Sequence, residues 1–127
     1  MKKVAEEKRI SIDVISRGIY ASNDNLATEE AIQILYNLYG IDISEHRATR
    51  LVYNDIADSD KIYVMTENHK NLINTTLEDD KLSEKIMKFS KTDIEDPYMG
   101  SKKDYELCAR EIYKGILQIM EKHWEEF

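Results

Sequence analysis

Lys61-Ile62-Tyr63-Val64-Met65 is a short run rich in β-branched and aromatic residues, and Thr66 follows it. The run reads as a buried strand, and Thr66 reads as the cap of a helix continuing to about Asn74. Working upstream, Asn54-Asp55 opens a brief helix reaching about Ser59, and Ile41 to Ser44 forms a short extended link. Thr28 can cap a helix with Glu29 and Glu30 in its first turn; Ala31, Ile32, Leu35, Leu38 and Tyr39 form its apolar face and Gly40 closes it. Ile10-Ser11-Ile12-Asp13-Val14-Ile15-Ser16 alternates apolar and polar residues and ends at Gly18, which predicts another strand, while residues 1–8 have the look of a helix. Downstream, Lys85 to Phe89 is the last expected strand. Ser101-x-x-Asp104 resembles a capping box opening a helix with apolar positions at Tyr105, Cys108, Ile112, Ile116, Ile119 and Met120. Strands alternating with helices at this spacing imply an α/β domain, a mostly parallel sheet covered by helices, over the whole of residues 1–127.

Composition narrows the function classes. The net charge of −7 lacks the basic stripe of a nucleic-acid surface. Lys2, Lys3, Lys8 and Arg9 are interrupted by Glu6 and Glu7, so the basic start reads as a helix surface. No apolar run approaches the roughly 20 residues that span a bilayer, and no signal peptide opens the chain. A single cysteine excludes an internal disulfide and fits a reducing cytoplasm. The three histidines are too dispersed for a metal site, and no cofactor motif is present. Ser16 has no readable His-Asp partner for a hydrolase triad. No unusually apolar surface run marks a dimer interface, which favours a monomer. The tail containing Trp124 and Phe127 reads either as an exposed apolar end or as a docking segment.

The chemistry-bearing stretch is Asp93-Ile94-Glu95-Asp96-Pro97-Tyr98-Met99-Gly100. Pro97 biases Asp96 away from the helical region and fixes the following turn, one way to hold a carboxylate at a loop tip as a general acid. Taken alone, such an octet is more often a solvated acidic turn ahead of a helix.

Ser16-Arg17-Gly18, Gly40-Ile41-Asp42-Ile43-Ser44-Glu45-His46-Arg47-Ala48, Asp60-Lys61-Ile62-Tyr63-Val64-Met65 and Asp96-Pro97-Tyr98-Met99-Gly100 occur in this order across nearly the whole chain. Together they resemble the low-molecular-weight protein tyrosine phosphatase family. Met65-Thr66 with His69-Lys70 is similar to its bacterial branch that includes protein arginine phosphatases. The resemblance implies a three-layer fold of flavodoxin-like order and a phosphoprotein or small phosphate monoester as substrate. It makes Asp96 the general acid and Tyr98 a wall of the substrate cleft, with His46 and Ser16 supporting the phosphate loop. Arg50, after Thr49, departs from the family's more frequent Arg-Gln, and His69 and Lys70 read as an exposed helix face.

The family's nucleophile sits in a Cys-x5-Arg loop between a first, central strand and a helix, where loop amides hold the phosphoryl oxygens and lower the thiol pKa. These residues contain no such loop: six positions after Cys108 stands Lys114. Cys108 lies at helical spacing between Tyr105 and Ile112 and reads as a small core residue. The resemblance therefore implies an N-terminally truncated domain, short of roughly 20 residues within the usual uncertainty of element boundaries. Two functions follow: a phosphatase domain whose full-length form works through a phosphocysteine, this chain being inactive, or a non-catalytic phosphatase-like binding or regulatory module. Without the central strand, Ile10–Ser16 is expected to pair directly with Lys61–Met65 or with another chain, because buried orphan amides cost about 1–3 kcal/mol each.

Overall fold

A computed structural model describes residues 1–77 and 80–123. The chain runs through α1 (Lys2–Glu7), α2 (Glu29–Tyr39), α3 (Tyr53–Asp58), β1 (Ile62–Val64), α4 (Glu67–Leu77), α5 (Asp80–Ser83), β2 (Ile86–Lys88) and α6 (Lys102–His123). Trp124 and Phe127 lie outside the described residues.

Local chemistry explains the helix ends. Thr28 Oγ1 accepts from Ala31 N at 3.3 Å to start α2, and Gly40 ends it in the left-handed region at φ 65°, where a side chain is disfavoured. His69 N donates to Thr66 Oγ1 at 3.1 Å at the start of α4. The box expected at α6 is complete: Ser101 N donates to Asp104 Oδ2 at 2.9 Å and Asp104 N to Ser101 Oγ at 3.2 Å.

β1 and β2 pair in parallel, Ile62 opposite Ile86 and Val64 opposite Lys88. Alternation along β1 sends residues to two cores. On one side Val64 and Ile86 pack with Ile56 of α3 and Ile73 of α4. On the other, Tyr63, Met65 and Phe89 pack with Val4 and Ala5 of α1 and Ile116, Ile119 and Met120 of α6. The result is the three-layer arrangement that the sequence implied, helices on both faces of a small parallel sheet.

One expectation is overturned. Ile10–Ser16 is not a strand, and it does not pair with Lys61–Met65. The sheet has two strands among the described residues. The segment keeps its alternation, with Ile10, Ile12 and Val14 half-buried and Ser11, Asp13 and Ile15 exposed. Its ends are tied by other bonds: Ile10 N donates to Ala5 O at 2.9 Å and Gly18 N to Thr49 O at 3.0 Å. Period-two apolarity reports which face is dry and does not by itself supply a neighbouring strand for the backbone. The apolar face of α2 is covered by a helix. It packs on α6 through Ile34, Tyr105 and Ala109, with the Tyr39 and Tyr113 rings stacked at 4.5 Å.

Candidate functional site

The connection from β2 to α6 carries the acidic turn. Asp96 Oδ1 accepts from Tyr98 N at 2.9 Å, closing an Asx turn that sets the direction of its carboxylate. Gly100 N then donates to Pro97 O at 2.7 Å. A Cβ at Gly100 would meet Pro97 O at 2.7 Å and Asp104 Oδ2 at 2.8 Å, so a side chain there would collide with both the turn and the cap of α6. Tyr98 and Met99 are presented to solvent at 65% and 85% exposure.

The root of this loop is fixed more firmly than its tip. Ile94 is buried, and its N donates to Met65 O at 2.9 Å. Asp93 Oδ1 accepts from Glu67 N at 3.0 Å and lies 2.7 Å from Lys88 Nζ. The Lys88 hydrogen bond first, and the Glu67 amide next, hold the Asp93 carboxyl below the usual carboxylate range. Its folded-state pKa being depressed, this contribution is complete above the ordinary carboxylate value and is lost as pH falls through the lower, folded one.

Ser16 Oγ and His46 Nε2, the pair expected to support a phosphate loop, stand 3.5 Å apart on the surface. Arg17, next to Ser16, bonds Asp55 Oδ2 at 3.1 Å, joining this turn to α3. Arg50 N donates to Asn23 Oδ1 at 2.8 Å.

An open cavity of about 540 Å³ lies between the Tyr20 turn, the start of α4 and the root of the acidic loop, lined by Tyr20, Thr66, Asn68, His69, Asn71 and Glu95 among others. His69 is therefore a half-buried wall of this cavity, where the sequence suggested an exposed helix face. Sequence reasoning missed Tyr20, Asn68 and Glu95. The available signal was positional: the cavity opens where parallel β1 ends, the edge at which open α/β sheets bind ligands. A second cavity, about 230 Å³, is lined by Ile19, Leu51, Val52, Tyr53, Leu72 and Leu77 among others and offers no acid, base or thiol for phosphate chemistry. No cluster of metal-ligating side chains occurs among the described residues. No helix among them is long and apolar enough to cross a membrane.

Cys108 is half-buried on α6, its Sγ 3.8 Å from Glu95 O. Burial, then the charges of Glu111 and Asp96, push its thiol pKa upward, the opposite of what a nucleophilic cysteine needs. Iodoacetamide at neutral pH should alkylate the native chain at least about tenfold more slowly than free cysteine, in line with its smaller thiolate fraction and reduced access. A mass-spectrometric time course reads this directly, and labelling as fast as free cysteine would contradict it.

A sequence model described as low molecular weight phosphotyrosine protein phosphatase matches residues 1–126. No curated protein sequence matches. Among solved structures, the low molecular weight protein tyrosine phosphatase from T. tengcongensis superimposes with TM-score 0.88 at 28% identity, covering 94% of this chain and 84% of that one. The YwlE arginine phosphatase from Geobacillus stearothermophilus gives TM-score 0.85 at 25% identity, covering 97% and 82%. A low molecular weight protein tyrosine phosphatase from Bacillus subtilis, at 23% identity and TM-score 0.85, shares the fold.

Proposed function

We propose what this chain does from what it is: it belongs to the low molecular weight phosphotyrosine protein phosphatase family. Our reading is a single cytoplasmic, monomeric domain over residues 1–127 that carries the acid-loop side of a phosphatase site. The observation that carries it is the family match over residues 1–126.

In a form that carries the Cys-x5-Arg loop, a cysteine thiolate attacks phosphorus, the bond to the leaving group breaks, and the leaving atom takes a proton from Asp96. Water then hydrolyses the phosphocysteine and releases phosphate. The substrate class is a phosphoprotein monoester or small phosphate monoester. In the arginine branch it is phosphoarginine, where the bond broken is P–N. Support for Asp96 as the acid is its Asx turn, which leaves one carboxylate oxygen clear of the Tyr98 amide. Tyr98, exposed beside it, is suited to be a wall of the substrate cleft. The proximity of Ser16 to His46 suits a shared role in bracing a phosphate loop. Within these residues there is no Cys-x5-Arg, so the chain as it stands is proposed to be inactive.

That absence also motivates a second reading, a non-catalytic phosphatase-like binding or regulatory module. Reading the DNA immediately upstream of Met1 separates the two. An in-frame Cys-x5-Arg supports the enzyme, and a stop codon close before Met1 supports the module.

A further inference from the structure

The loop that presents Asp96 and Tyr98 is exposed and has no regular structure of its own, so its position has to come from contacts at its root. Two contacts converge there, and both land on the junction where β1 passes into α4. Ile94 N donates to Met65 O at 2.9 Å, and Asp93 Oδ1 takes Glu67 N at 3.0 Å. The same Asp93 oxygen is 2.7 Å from Lys88 Nζ at the end of β2, and Lys88 Nζ also donates to Lys91 O at 3.1 Å. One carboxylate therefore joins the end of β2, the acidic loop and the first turn of α4, the turn that supplies Asn68 and His69 to the open cavity.

An isolated surface ion pair contributes little, because water screens it and ordering two side chains costs entropy. Asp93 differs in kind. Its charge also accepts a backbone donor that would otherwise be an orphan at a helix N-terminus, where negative charge is favoured. Glu67 is distant in sequence from the acid that Asp93 precedes, so this contact constrains the loop against another element.

We propose that Asp93 is a positioning residue, a clip that ties the Asp96–Tyr98 loop to the start of α4 and the end of β2 and so fixes where the acid stands relative to the cavity. The proposal rests on the reading of Asp96 as the general acid and extends it to a residue that touches no substrate.

Amide hydrogen exchange on the intact chain tests it. Asp93→Ala should raise exchange at Glu67, Ile94 and Tyr98 by about tenfold, the scale of a lost charge-assisted hydrogen bond. The core amides of Val64 and Ile116 should keep their wild-type rates. Asp93→Asn keeps an oxygen acceptor for Glu67 N while losing the charge for Lys88. It should hold Glu67 near its wild-type rate and leave Ile94 and Tyr98 intermediate. Lys88→Ala should reproduce the Asn pattern. Unchanged exchange at Ile94 and Tyr98 in Asp93→Ala would overturn the proposal. So would uniform loosening of loop and core, the mark of a merely structural residue. Because exchange is read without turnover, such a failure counts against the clip alone. Persistence of full activity in Asp96→Asn of a form that carries the Cys-x5-Arg loop would count against the acid reading alone.

Discussion

The chain should hydrolyse p-nitrophenyl phosphate, phosphotyrosine and phosphoarginine no faster than buffer. Phosphate transfer through a covalent intermediate needs a nucleophile poised as a thiolate and a set of donors for the phosphoryl oxygens, and the two act as a unit. The one thiol present, Cys108, is half-buried on α6, and burial with neighbouring Glu111 and Asp96 pushes its pKa upward. Asp96 alone cannot compensate, since a positioned acid contributes typically about 10²–10⁴-fold and only while a leaving group is departing. The expected deficit against an enzyme that carries the Cys-x5-Arg loop is therefore about 10⁶-fold or more, the lower end of enzymatic rate enhancement. A phosphate-release assay with purified chain measures it. Vanadate-sensitive turnover that survives Cys108→Ala would show that another nucleophile is at work.

The parts of this molecule legible in its sequence are those whose causes are local. Thr28, Gly40, Ser101 and Asp104 announce α2 and α6 because a cap is a bond between residues a turn apart. The Asp96 turn is legible for the same reason, its bond reaching only to Tyr98. Ile34, the most buried residue of α2, was missed because helical spacing gives a broad stripe and only the docking of α6 selects its centre. Ile10–Ser16 was misread because alternation fixes a dry face and says nothing about a partner strand. The cavity walls and the Asp93 clip were invisible for a third reason: Tyr20, His69 and Glu95, or Asp93 with Glu67, meet only once β1 and β2 have paired and set the loops at one edge. Charge patterning marked the acidic run as a unit and could not separate Asp93, which is spent on a helix start, from Asp96, which is not.

The largest stability effect is expected where β2 ends against α6. Phe89 is buried, and its N donates to Val64 O at 2.8 Å. Its ring meets Tyr63 edge-on with centroids 6.4 Å apart. It lies so close to α6 that a Cβ built on Gly115 would stand 2.3 Å from Phe89 Cε1. A glycine in the interior of a long helix costs about 1 kcal/mol relative to alanine, and here that cost admits the ring. Phe89→Ala should destabilise the chain by about 3–5 kcal/mol, the usual range for emptying an aromatic site, read as a lower urea midpoint at constant m-value. Gly115→Ala should also destabilise, by about 1 kcal/mol net, since overpacking of roughly 1–3 kcal/mol outweighs the gain in helix propensity. Combined with Phe89→Ala the sign should reverse. With the ring gone the new methyl meets no obstacle and fills part of the space, so Gly115→Ala should stabilise the double variant by about 1 kcal/mol relative to Phe89→Ala alone. A coupling of about 2 kcal/mol between the two positions is thus expected, within the range for residues in direct contact. Additive effects would mean that the ring does not rest on Gly115 and that α6 is seated differently on the sheet.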